Sequence, residues 1–187
     1  MCLVEKGMAA RRILLPVLIL LLLAPGILPA AEMTLRNAPV QLYFSPRGEC
    51  TQAITREISA ARSEVLVQAY SFTSAPIAKS LLDAHKRGIK VAAVLDKSQK
   101  KERYTSATFL SNAGIPVLID AAHAIAHNKI IIIDRETVIT GSFNFTKAAE
   151  EKNAENLLII RSRELAAKYI ANWNEHRTHS EPYERRF

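Results

Sequence analysis

The chain has 187 residues, of which 49% are hydrophobic and 23% charged, with 25 Lys+Arg against 18 Asp+Glu and a formal net charge of +7. Six Gly, eight Pro and two Cys exclude a collagen-like repeat and a disulfide scaffold, and the apolar share is too large for a disordered chain and too interrupted for a multi-span membrane protein. The positive excess points to an anionic partner but does not separate nucleic acid from an anionic membrane.

Residues 1–31 read as a secretory leader. Lys6, Arg11 and Arg12 form a positive start, Ile13 to Ala24 an apolar run broken at Pro16, and Pro25-Gly26 with Ala30 and Ala31 an exit for cleavage. Met8 offers a second start. An uncleaved anchor through residues 13–31 is the alternative, although Pro16, Pro25, Gly26 and Pro29 interrupt that stretch. The chain is therefore expected to be exported, periplasmic or secreted. Loss of Glu5, Lys6, Arg11 and Arg12 with the leader lowers the charge from +7 to +5. Cys2 goes too, so no intrachain disulfide is possible, and Cys50 is expected as a small, half-buried thiol.

Further along, Val40–Phe44 is a short strand ended by Ser45-Pro46-Arg47-Gly48, and Thr51–Ala61 carries Ile54 and Ile58 on one helical face. Val65–Tyr70 is a strand. A helix capped by Ser74 runs through Lys86 and stops at Gly88, with Ile77, Leu81 and Ala84 inward. Ile89–Leu95 is a strand leading into a basic loop. A helix over 105–112 closes at Gly114, and Pro116–Ile119 is a strand. Asn128–Ile133 and Thr137–Thr140 form a hairpin about Asp134-Arg135-Glu136. Leu157–Ile160 is a strand, and Arg163–His176 a closing helix with Leu165, Ala166, Tyr169, Ile170 and Trp173 inward. This alternation predicts one α/β domain over 32–187, a mixed, mostly parallel central sheet flanked by helices, with Ile130–Ile133 buried on both faces at its middle.

The chemistry concentrates in His127-Asn128-Lys129 through Asp134, then Gly141-Ser142-Phe143-Asn144 and Glu155-Asn156. His127 and Lys129 are two apart and share one side of a strand. An imidazole beside an ammonium can attack or protonate a group while the cation holds a negative charge. Ser142 and Asn144 repeat the spacing with two neutral donors, so the set describes a pocket for a tetrahedral oxyanion such as phosphate. Glu155, just before the next strand, is placed to orient His127 through one ring nitrogen. Asp134 lies at an odd offset from His127, faces the other way, and opens a turn whose backbone N–H groups it can accept from. It reads as structural.

His127-x-Lys129-x4-Asp134 followed by Gly141-Ser142-x-Asn144 resembles the HKD signature of the phospholipase D superfamily. The approach Val65 to Ser74 with Pro76-Ile77-Ala78 is similar to its small single-motif branch, which includes the secreted bacterial endonuclease Nuc and mitochondrial cardiolipin hydrolases. The resemblance covers roughly residues 38–177. It implies a phosphodiesterase without metal or other cofactor. The motif histidine attacks phosphorus to form a phosphohistidine, and a second histidine protonates the leaving oxygen. One motif per chain implies a homodimer with the site at the two-fold interface, where His127 is nucleophile in one subunit and general acid in the other.

The other histidines have ordinary readings. His85 ends a helix, His176 and His179 belong to a polar surface, and His123 lies near enough to touch substrate. No metal site is expected. Lys97, Lys100, Lys101 and Arg103 form a basic loop after a sheet strand, where a phosphate backbone would be tracked. The leading expectation is a non-specific endonuclease acting on DNA or RNA. The alternatives are a phospholipase or cardiolipin hydrolase acting on anionic phospholipid, and a non-catalytic nucleic-acid-binding envelope protein.

Overall fold

The computed structural model describes residues 32–101 and 105–184. The predicted leader and Arg103 lie outside the described residues.

The run of four isoleucines is the natural starting point, because β-branched side chains favour a pleated, buried strand. Lys129–Ile133 (β5) is buried at every position. It occupies the fourth place in an eight-stranded sheet of order β1-β7-β6-β5-β2-β3-β4-β8. The other strands are β1 (Val40–Ser45), β2 (Glu64–Ala69), β3 (Lys90–Asp96), β4 (Val117–Asp120), β6 (Thr137–Gly141), β7 (Glu155–Arg161) and β8 (Glu181–Pro182).

The sheet is mixed, as the sequence predicts, but mostly antiparallel rather than mostly parallel. Only β2–β3 and β3–β4 run parallel, while the remaining five pairings are antiparallel. Parallel neighbours need a crossover, and only α2 (Ala75–Lys86) and α3 (Ser106–Asn112) provide one between adjacent strands. After β4 the chain returns without a helix to the free edge of β2, reverses there as β5, and continues through the β5–β6 hairpin.

Helices cover both faces. On one, α1 (Cys50–Ser59) and α2 pack Ile54, Ile58, Ile77 and Leu81 onto Val65, Val67, Ile131 and Ile139. On the other, α5 (Arg163–Thr178) sets Ala166, Ile170 and Trp173 on Val94, Ile130, Ile132 and Val138, and Trp173 Nε1 donates to the Val67 carbonyl at 2.9 Å. Alternation along β5 assigns Ile130 and Ile132 to α5 and Ile131 and Ile133 to the opposite layer.

Three elements are additional to the sequence reading: a 3₁₀ turn over Lys97–Lys100, the short α4 (Lys147–Glu151), and β8. All are too short for a periodic signal. Cys50 is fully rather than half buried, because it opens α1 on the inward face, and burial pushes its thiol up to about 11. Among the described residues no helix is long and apolar enough to cross a membrane.

Candidate active site

β5 begins at Lys129, and its side chain points to the face shared with Ile131. It is only 7% exposed. Its Nζ donates to the His127 carbonyl at 3.0 Å and lies 5.2 Å from the centre of the Tyr70 ring. Tyr70 follows β2, where its N–H donates to the Asn128 carbonyl at 2.8 Å and extends the β2–β5 ladder by one step. His127 remains exposed, with its ring against Tyr70 at 4.6 Å between centroids. Tyr70 thus lies against both motif residues. Burial pulls the Lys129 ammonium below the usual lysine range, and the Glu155 carboxylate opposes that shift. A cation held in so poor a solvent gains by binding an anion.

β6 runs beside β5, with Ile131 opposite Ile139. Continuing that register carries Gly141 to the level of Lys129. Gly141 has φ of +145°, and a Cβ there would lie 2.3 Å from the Asn156 carbonyl oxygen, so only glycine fits. That carbonyl accepts from both Ser142 N and Phe143 N. Ser142 Oγ accepts from Asn156 N at 3.0 Å and Asn156 Nδ2 at 3.3 Å. Both lone pairs are then used, which leaves the Ser142 O–H to donate outward. Asn144 Oδ1 is buried without a hydrogen-bond partner among the described residues. An orphaned amide oxygen costs stability, and as an acceptor it would be met by a donor rather than by a phosphate oxygen.

Glu155 does not reach His127 within the chain. Its carboxylate accepts from Asn153 Nδ2 at 3.1 Å, and no hydrogen bond joins it to His127 among the described residues. The reason is lateral: Glu155 opens β7, and β6 separates that strand from β5, a gap of about 10 Å. Its charge bears on Lys129 and, as the smallest contribution there, on Cys50. Asp134 lies at the far end of β5. It accepts from Arg62 N, Ser63 N, Ser63 Oγ and Glu64 N, and with Arg135 it adopts positive φ at the hairpin turn. Burial would raise its carboxyl, but those four donors hold it below the usual range.

The basic loop adjoins the site. Lys97, Ser98, Lys100 and Lys101 line a groove of about 460 Å³ together with Tyr70, Ala124 and Ile125. Lys97 Nζ donates to the His123 carbonyl, and Lys100 pairs with Glu181 at 3.2 Å, whereas Lys101 is exposed. The buried Asp96 holds this wall. It accepts from Ser98 N at 2.8 Å and from Ala126 N at 2.7 Å, so one carboxylate fixes both the lysine turn and the approach to His127. Tyr70 and Asp96 were not singled out by the sequence, and Asn156 was named beside Glu155 without a role. Each stands beside a legible motif residue, but their roles depend on pairings that only the sheet creates.

His176 and His179 do not sit in a featureless polar surface, and the His123 ring does not line the lysine groove. All three converge on Asp120, the fully buried last residue of β4. Burial alone would raise the Asp120 carboxyl, but bonds from His176, His123, Ala122 N and His179 outweigh it and hold it at about 2.

An exposed imidazole beside a buried lysine, with a serine hydroxyl and an amide at the end of the neighbouring strand, offers a nucleophile and donors of the kind a phosphodiester would need. Comparison with known proteins agrees. The family model described as "Cardiolipin synthase, PLD-like domain" matches residues 54–177. A phospholipase D of Rickettsia felis is 46% identical over 139 residues, covering 74% of this chain and 70% of the relative. The mitochondrial cardiolipin hydrolase of Mus musculus is 30% identical over 151 residues, 80% of this chain and 65% of the relative. Among solved structures, the phospholipase D family member Nuc from Salmonella typhimurium superposes with a TM-score of 0.76 at 37% identity, covering 79% of this chain and 99% of that one. NucT from Helicobacter pylori gives 0.73 at 25% identity, covering 78% and 99%. The chain belongs to the phospholipase D superfamily, as a phosphodiesterase with a single copy of the signature.

Proposed function

We propose that this protein is an exported, non-specific endonuclease that cleaves DNA or RNA as a homodimer. The observation that carries the reading is the groove of Lys97, Lys100 and Lys101 leading to Tyr70, against which the exposed His127 stacks. A polyanion laid along that wall would deliver a phosphodiester to the imidazole, with the ammonium of Lys129 and the hydroxyl of Ser142 facing its non-bridging oxygens.

His127 attacks phosphorus, the P–O bond to the leaving nucleotide breaks, and the imidazolium of a second His127 gives that oxygen its proton. Water then attacks the phosphohistidine. The second histidine takes up the water's proton, and the first is released as a free imidazole. Two histidines are required, and His127 is the one that the motif supplies, which is why a second copy of the chain is part of the proposal. Glu155 orients the nucleophile in that assembly or acts through Lys129.

A second reading has its own support. Ala124 and Ile125 add an apolar side to the groove, Ile125 being 57% exposed, and the relatives named above include a phospholipase D and a cardiolipin hydrolase. Such a rim also fits an anionic phospholipid. The experiment is to incubate the protein with plasmid, single-stranded DNA, RNA and cardiolipin-containing vesicles, with and without chelator. Nucleic acid cleavage that survives chelator supports the endonuclease, and headgroup release alone supports the lipase. Binding without turnover overturns both.

A further inference from the structure

Three imidazoles crowd onto one oxygen of Asp120, more donors than its two lone pairs accept. Its Oδ2 lies 2.6 Å from His176 Nδ1, 3.0 Å from His123 Nδ1 and 3.4 Å from His179 Nε2, while Oδ1 also accepts from Ala122 N at 3.0 Å. The three rings crowd one another, with centroids 4.8 to 5.4 Å apart. Held by hydrogen bonds alone, each ring must direct a proton inward at the same oxygen. Neutral imidazoles with lone pairs directed inward need a cation between them.

We propose that Asp120, His123, His176 and His179 form a binding site for one divalent transition metal, zinc by preference, which ties the segment leading to His127 to the end of α5. Three nitrogens and one carboxylate oxygen are the donors that zinc selects. One ligand atom from each residue falls within 4.8 Å of all the others. A tetrahedral zinc with bonds of about 2.0–2.1 Å separates its ligands by roughly 3.4 Å, so only small ring movements close the site. Access is open, since the His123 and His179 side chains are 45% and 33% exposed.

The cluster sits at the same sheet edge as His127 but three strands across, Asp120 on β4 and Lys129 on β5, roughly 14 Å away. It takes no part in the reaction. Its use is mechanical: residues 121–126 cross back over β3 and β2 without a helix, and a metal would fasten their first turn where Asp96 fastens their last.

The test uses the full chain without a histidine tag, stripped of metal and titrated with Zn²⁺ against a chromophoric chelator. One Zn²⁺ per chain is expected, with the absorption of a tetrahedral site when Co²⁺ replaces it and a higher Tm on loading. His123→Gln and His179→Gln, both at exposed rings, should each weaken binding at least about tenfold. His127→Asn should bind as the parent does. Failure to take up stoichiometric Zn²⁺, uptake that survives His123→Gln and His179→Gln, or loss with His127→Asn would overturn the proposal. None of these readouts requires activity, so they stand whichever substrate is correct.

Discussion

Two histidine-bearing sites lie along one rim of this sheet, and they are built on opposite plans. Around His127 the polar groups are left wanting: the ring is exposed, Lys129 is buried against its preference, Ser142 keeps a proton to donate and Asn144 Oδ1 has no partner among the described residues. Around Asp120 the polar groups crowd together, with a fully buried carboxylate enclosed by three imidazoles and a backbone N–H. The difference is between polar groups left open to solvent and polar groups gathered about a buried charge. Of the groups around His127, the buried ammonium and the outward hydroxyl are the ones an anion could engage, whereas the amide oxygen calls for a donor.

The contrast can be broken most directly at His127. His127→Ala should reduce phosphodiester hydrolysis by at least about 10³-fold with little change in Tm, because the exposed ring supports no core. Activity retained in that variant would remove the nucleophile from this end of the edge. Asp134→Ala should do the reverse. Losing a carboxylate that accepts four hydrogen bonds should cost about 3 kcal/mol in urea unfolding, while folded protein keeps its turnover. A large drop in turnover at full folding would make Asp134 part of the chemistry.

Acid sharpens the other side of the comparison. In the metal-free chain burial would raise the Asp120 carboxyl, but the imidazole and backbone hydrogen bonds hold it at about 2 against an ordinary 3.8. Its contribution is fully present above the ordinary value and is lost as pH falls from about 4 through 2, an effect of roughly 2 kcal/mol. Asp120→Asn should flatten that part of the stability profile, and an unchanged slope would mean that the imidazoles do not stabilise the ionised carboxylate. The smallest effect is expected on the groove. Lys101→Ala should lower the salt dependence of nucleic acid binding by about one unit of slope, and Lys100→Ala by less, because Lys100 already pairs with Glu181.

How much could be read beforehand follows from where the partners lie in the chain. The signature residues fall within one strand and the turn after its neighbour, so a contiguous pattern reveals His127, Lys129 and Asn144 together. The helices announced themselves through spacing such as Ile54 to Ile58 and through Gly88 and Gly114, both at positive φ just after helices. Strand direction was not visible, because a β5 that returns to β2 without a helix breaks the rule that alternation implies parallel neighbours. The Asp120 cluster was invisible for the same reason. His176 is 56 residues from Asp120, and nothing local in a polar helix end says that it faces a buried carboxylate.

The position of Asp134 gives the signature a meaning apart from catalysis. His127 and Asp134 stand at opposite rims of the sheet, and the five residues of β5 between them span about 17 Å. The fixed interval from histidine to aspartate is therefore a ruler cut to the depth of the sheet, anchored at one rim by the ladder to Tyr70 and at the other by the backbone of Arg62 to Glu64. Adding or deleting a single isoleucine would leave composition and hydropathy almost untouched. It would also turn Lys129 towards α5 and pull the aspartate off its donors, so the run tolerates substitution far better than a change of length.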